Sequence, residues 1–194
     1  MLNIRKGGHR DLERYYSLME LDFDKRELLP KLAIHKGMHQ GDLELLIVYE
    51  EESQITVAYA LVFCRGVYGY VLLKYFGVTP WFRGKGIGLE TMRMLNRRYA
   101  DRQGILAELT VFEDEDGETL RKLRRFFQRF GYVPVPCEYR LGGMEAELVV
   151  KPLKGSEAVA PIAPRMIRDF YSRCLRPSTL AKMVEVGPAV REAE

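Results

Sequence analysis

The chain has 194 residues, 47% of them hydrophobic, enough to bury one substantial core and to form one domain with an appendage. Lys and Arg number 30 against 27 Asp and Glu, so no charge excess argues for a nucleic acid or an anionic membrane as partner. A basic-then-apolar leader and an apolar run of about 20 residues are both lacking, and Cys64, Cys137 and Cys174 are odd in number, far apart and without C-x-x-C spacing. The expectation is a cytoplasmic protein with reduced thiols, no membrane span and no metal site.

In chain order, Met1–Lys6 reads as a short strand ended by Gly7-Gly8. From Arg10 to Leu21, the residues Leu12, Tyr15, Tyr16 and Met19 fall at i, i+3, i+4 and i+7, the spacing of an amphipathic helix. A second helical segment is predicted over Lys25–His39, bending or restarting at Pro30, because proline is tolerated only in the first turn. His35 and His39 stand four apart on it. Without a further Cys, His or HExxH pattern they read as a solvated helix face. Leu43–Glu50 and Ile55–Arg65, joined by Glu51-Glu52-Ser53-Gln54, form a hairpin, and Val67–Val78 is the next strand. That strand turns at Pro80 and passes through Gly84, Gly86 and Gly88 into a helix. Gly88, Met92, Leu95 and Tyr99 make the apolar face of this helix.

Gly104 opens the strand Ile105–Phe112, on which Ala107, Leu109 and Val111 alternate with Leu106, Glu108, Thr110 and Phe112. A carboxylate in mid-strand needs solvent, a partner or a function, since burying it unpaired is costly. Glu108 is therefore either a functional group or one half of an ion pair, for instance with Lys74 on the neighbouring strand. An acidic loop, Glu113–Gly117, precedes a basic helix whose core face is Leu120, Leu123, Phe127 and Phe130, capped by Gly131. The charges read first as a solvated helix face and an ordinary acidic turn, and second as a basic face beside a phosphate with the acidic loop near a cationic acceptor. Tyr132–Arg140 and Met144–Lys151 meet at Gly142-Gly143 as a second hairpin, with Pro134 and Pro136 confining part of the first strand to an edge or bulge. A linker follows Pro152, then a helix with Met166, Phe170 and Cys174 on one face, and a weakly structured tail after Pro177. The expected organisation is one domain over residues 1–152, with a linker and C-terminal helix or tail over 153–194.

The glycine-rich turn into a helix gathers unpaired N–H groups at the positive end of the helix dipole, an arrangement suited to phosphate. A nucleotide P-loop is disfavoured, because Gly84-Lys85 is followed by Gly86 and not by Ser or Thr. The dinucleotide fingerprint fails at Leu89, where a third glycine belongs. What fits is Arg-x-x-Gly-x-Gly from Arg83 to Gly88, behind Val78-Thr79-Pro80. This resembles the acetyl-CoA signature of the GNAT superfamily of N-acyltransferases. The order strand, two helices, hairpin, strand, helix resembles that family too, as does Arg125-Phe126-Phe127-Gln128-Arg129-Phe130-Gly131-Tyr132.

The resemblance implies an α/β fold, with a central mixed, mostly antiparallel sheet flanked by helices on both faces and a C-terminal helical extension. It implies N-acetylation of a primary amine on a small molecule or peptide, with acetyl-CoA as cosubstrate. A homodimer is left open. The CoA site would comprise Phe76, Val78, Arg83, Gly84, Lys85, Gly86, Ile87, Gly88 and Phe127. The Phe76 N–H would polarise the thioester carbonyl, Val78 would pair with the pantetheine arm, and Glu108 would accept the ammonium proton. The family's usual tyrosine, which protonates the departing sulfur, is Phe127 here, leaving Tyr132, Tyr139 or water as substitutes. That departure keeps open the alternative of a CoA-binding regulatory or structural module with little turnover.

Overall fold

The apolar alternation of the strands fixes a sheet covered on both sides. A computed structural model describes residues 1–110, 117–154 and 159–189. Within these the strands are β1 (Leu2–Lys6), β2 (Leu43–Glu50), β3 (Thr56–Phe63), β4 (Tyr70–Val78), β5 (Gly104–Thr110), β6 (Val133–Pro134), β7 (Cys137–Leu141), β8 (Met144–Pro152) and β9 (Val184–Ala189). The helices are α1 (His9–Asp22), α2 (Lys31–Gln40), α3 (Ile87–Arg98), α4 (Glu118–Gln128), α5 (Ala163–Ser172) and α6 (Pro177–Met183). The strand order is β1-β2-β3-β4-β5-β8-β7-β9, with β6 added against β8. Each pairing is antiparallel except β4 with β5, which α3 joins by the crossover that a parallel pair requires.

The period of two along each strand divides the core. Leu45, Leu61, Leu72, Leu106 and Leu148 face α1, α2 and α5 in one cluster. Leu46, Ala60, Val71, Ala107 and Leu109 face α3 and α4 in another. The expected alternation of β5 holds within the described residues, while Val111, Phe112 and the acidic loop Glu113–Asp116 lie outside them. A bulge breaks the alternation on β4. Leu61 pairs with Tyr75 and Val62 with Leu73, so Lys74 is the extra residue. Lys74 and Tyr75 thereby serve the same face of the sheet: Lys74 meets Glu108 there, and Tyr75 joins the α1–α2–α5 cluster.

Three sequence expectations change. Lys25–Pro30 is not the start of a helix, because Pro30 sits at the N-cap of α2 with extended backbone and the preceding residues turn. Val67–Gly69 is a 3₁₀ turn ahead of β4. The chain after Pro177 forms α6 and the edge strand β9, which pairs with β7 from Leu141↔Val184 outward. Met166, Ile167, Phe170 and Tyr171 of α5 are fully buried in the first cluster. At about 1.5–3 kcal/mol for each large apolar side chain, that contact makes the C-terminal segment part of the folded body.

Candidate active site

The site begins where two parallel strands part. β4 pairs with β5 only from Tyr70↔Gly104 to Leu73↔Ala107. Beyond that point β4 stays with β3 as far as Val78↔Ala58, and β5 stays with β8 as far as Thr110↔Ala146. One backbone edge of β4, from Lys74 to Val78, is thus left facing a gap. That gap is a cleft of about 780 Å³, bordered by Phe76, Gly77 and Val78 on one side and by Glu108, Leu109 and Thr110 on the other.

At the outer end of β4 the chain makes a 3₁₀ turn, Pro80–Phe82, and then the glycine loop. Gly84 has φ +75° and Gly86 φ +78°, values that L side chains rarely adopt, and Gly86 is the N-cap of α3. Among the described residues no protein acceptor takes the N–H groups of Gly84 to Gly88, so the loop and the first turn of α3 present them outward. Gly88 lies on the cleft wall against Val78 and Phe126. The Lys85 ammonium lies 5.5 Å from the centre of the Phe82 ring. Arg83 does not extend towards the loop. Its Nε donates to the Val78 carbonyl at 3.0 Å and its guanidinium to Asp22 at 2.6 Å, with Asp22 also accepting from the Tyr59 hydroxyl at 2.8 Å.

α4 forms the opposite wall. Lys122, Arg125 and Arg129 line the cleft together with Phe126 and Phe127. Phe126 stacks on Phe76 at 5.9 Å, so α4 packs directly on the strand edge. The Phe127 ring is buried, edge-on to Phe126 at 5.5 Å and to Tyr132 at 5.0 Å. The Tyr132 hydroxyl is buried without a partner among the described residues, and burial raises its pKa. Tyr132 is not among the residues lining the cleft.

The floor is polar and closed. Lys74 and Glu108 face each other at 2.8 Å across the apex of the splay, with side chains 0% and 1% exposed. This is the ion pair that the sequence weighed against a functional role for Glu108. Both Glu108 oxygens accept from the Tyr171 hydroxyl, at 2.8 and 2.9 Å, and Oε1 also accepts from Tyr139. Burial, and then the Glu108 charge, push both tyrosine pKa values well up, so the hydroxyls stay protonated as donors. Sequence reasoning missed Tyr171, which lies 63 residues from its partner on a helix read only for its apolar face.

It also missed Glu27. Placed in a turn between α1 and α2, Glu27 is 3% exposed and lines the cleft. Its Oε1 accepts from the Asp24 N–H and the Thr110 hydroxyl, both at 3.3 Å. Burial raises its pKa above the usual carboxylate value; Lys74 opposes the shift and Glu108 reinforces it. The Tyr75 hydroxyl fixes the turn by donating to the Glu27 carbonyl at 2.9 Å and accepting from the Leu29 N–H at 2.7 Å. The tip of the β7–β8 hairpin braces it, since a Cβ on Gly142 would lie 2.1 Å from the Arg26 carbonyl oxygen. The one available sequence signal was a carboxylate directly before the apolar pair Leu28-Leu29.

Comparison with known proteins agrees with this geometry. Residues 42–134 match the family model of the acetyltransferase (GNAT) domain. No curated protein matches the sequence. Among solved structures, a GNAT-family protein from Bacteroides thetaiotaomicron superposes with a TM-score of 0.65 at 14% identity, covering 84% of this chain and 92% of that one. A chimeric spermidine N-acetyltransferase from Vibrio cholerae gives 0.60 at 13% identity, over 78% of this chain and 95% of its own. The ribosomal-protein-S18-alanine N-acetyltransferase of Escherichia coli gives 0.57 at 12%, over 81% and 97%. The matched residues span the hairpin, the parting strands, the glycine loop and α4, so the elements that build the cleft are similar to those of the acetyltransferase (GNAT) domain.

Proposed function

We propose that this protein transfers the acetyl group of acetyl-CoA to a primary amine of a small molecule or peptide. The observation that carries the reading is the cleft between β4 and β5, with a glycine loop at one end and the cations of α4 along its wall. The glycine loop, Gly84 to Gly88 with Lys85 and Ile87 between, offers its N–H groups to the pyrophosphate. Arg83 reaches the same phosphates by exchanging its bond to Asp22, and Lys122, Arg125 and Arg129 supply further positive charge. Val78 pairs with the pantetheine arm as an added strand would, and the Phe76 N–H holds the thioester oxygen as charge develops on it. Phe127 closes the cleft near the sulfur. Glu108, expected as the base, has both oxygens engaged, and in this proposal it anchors the floor.

Two of the structural neighbours bear on the acceptor, one named for spermidine and one for the alanine of a ribosomal protein. Both acceptors present a primary amine, the class proposed here. The free thiols of Cys64 and Cys174 are buried, in keeping with a reducing compartment such as the cytoplasm. No helix among the described residues is long and apolar enough to cross a membrane. Phe127 sustains a second reading, a CoA-responsive module with little turnover, because its buried ring has no hydroxyl to offer a leaving thiolate.

Calorimetry with CoA, then thiol release from acetyl-CoA over a panel of amines, tests the proposal. Micromolar CoA binding with turnover is the expected result. Binding without turnover supports the module, and absence of binding at millimolar CoA ends both readings.

A further inference from the structure

We infer that Glu27 is the group that takes the proton from the acceptor ammonium, and that the acceptor enters the cleft as a cation. The inference rests on the acetyl-transfer reading above and adds to it the base and the charge of the acceptor.

Four observations converge on Glu27. First, the other carboxylate of the floor is occupied. Glu108 accepts from Lys74, Tyr139 and Tyr171, leaving neither oxygen free for an incoming ammonium. Glu27 spends only Oε1 on its two bonds, and Oε2 has no hydrogen-bond partner among the described residues. Second, the position is right. Thr110, which holds Glu27, lies three residues outward from Ala107 along β5. Counting outward from the Leu73↔Ala107 pair sets Thr110 level with Phe76 or, allowing for the extra residue at Lys74, with Gly77. That is within one residue of the backbone donor assigned to the thioester oxygen, the Phe76 N–H. Third, the charges do not balance. Lys74 is close enough to act on the ionisation of Glu27 while pairing with Glu108, so two carboxylates share one buried ammonium. With Glu27 ionised, Glu27 and Glu108 set two negative charges against the one positive charge of Lys74, so the floor of the cleft holds a residual negative charge facing the cationic wall of Lys122, Arg125 and Arg129. Fourth, burial raises the Glu27 pKa above the usual carboxylate value, which makes it a stronger base than an exposed carboxylate.

The step balances as follows. The acceptor ammonium gives one proton to Glu27 Oε2, and its freed lone pair forms a bond to the thioester carbonyl carbon. The Phe76 N–H holds the oxyanion, which collapses with loss of the C–S bond. The second proton on nitrogen goes to the thiolate, directly or through water, and Glu27 returns its proton to solvent. The products are an N-acetyl amide, CoA thiol and one proton.

Glu27→Gln separates this role from a structural one. The Gln carbonyl oxygen can keep both bonds of Oε1, so the turn survives. A raised folded-state pKa means that ionisation of Glu27 costs stability as pH rises through that value, and glutamine removes the cost. The variant should therefore melt at or above the wild-type temperature at pH 8, with the gap narrowing towards pH 4. With propylamine or 1,4-diaminobutane, kcat/KM should fall about a hundredfold or more and lose its acidic limb, while CoA affinity stays unchanged. With 2,2,2-trifluoroethylamine, already neutral at pH 8, the loss should be within about threefold, because no proton needs removing. A wild type that binds and turns over acetyl-CoA, paired with a variant that keeps its acidic limb or loses equally on both amine classes, overturns the inference alone. A wild type with no turnover on any of these amines overturns it together with the acetyl-transfer reading.

Discussion

Replacing Glu108 with glutamine tests the floor of the cleft most directly. Its partner Lys74 is fully buried 2.8 Å away, and two tyrosine hydroxyls also depend on the carboxylate as acceptor. Removing one member of a buried pair leaves the other charge uncompensated, at a cost of about 3–5 kcal/mol. The Gln carbonyl keeps one acceptor near the Lys74 ammonium, so the loss should fall towards the lower bound. At about 2–4 °C per kcal/mol for a domain of this size, the melting temperature should drop by about 6–20 °C. Urea unfolding of the purified protein at pH 7.5 provides the free energy. A Lys74→Met/Glu108→Leu double variant, which removes both charges, should recover most of the stability lost by Glu108→Gln. The reasoning fails if Glu108→Gln unfolds within about 1 kcal/mol of wild type while turnover falls a hundredfold. Glu108 would then be the base after all.

Three further outcomes follow from the geometry. Gly142→Ala forces an alanine to φ +56° with its Cβ against the Arg26 carbonyl, and should destabilise by about 2 kcal/mol or more in urea, with amine turnover falling more than CoA affinity. Gly86→Val meets no neighbour within 4 Å but cannot hold φ +78° without strain, so the loop should reshape and CoA affinity fall about tenfold or more by calorimetry. Phe127→Tyr should raise thiol release severalfold if departure of the sulfur is unassisted, with CoA affinity unchanged. No change, or a lowered melting temperature, means that another acid serves or that the hydroxyl overpacks against Phe126 and Tyr132.

Local chemistry made much of this molecule legible. The alternation of β5 sorted Ala107 and Leu109 from Leu106 and Glu108, and the two core clusters sort them the same way. Glycines 84 and 86 announced a backbone that other residues disfavour, and both take the left-handed conformation. What escaped was set by distance in the chain. Tyr171 reaches Glu108 across 63 residues, and β9 finds β7 only because the hairpin presents a free edge after folding. The segment Lys25–Leu29 has good helix formers, and the neighbouring Pro30, the hydrogen bonds of Tyr75 and those among Asp24, Arg26 and Glu27 make it a turn. Glu27 could not be ranked before that turn was known. The bulge at Lys74, which puts two successive side chains on one face, leaves no trace in the period-two pattern at all.

The position of Tyr171 has a consequence for biosynthesis. On the ribosome the parting strands, the glycine loop and the hairpin are made before α5, so Lys74 and Glu108 can meet while the hydroxyl that spans both carboxylate oxygens is still missing. At that stage the carboxylate lacks one of its donors, and the apolar surface later covered by Ile167 and Phe170 stands open. A chain that lacks α5 would expose that apolar surface and leave the Glu108 carboxylate without the Tyr171 donor, and so would differ from the finished protein at both places. The floor of the cleft is therefore completed only when α5 docks against the strands.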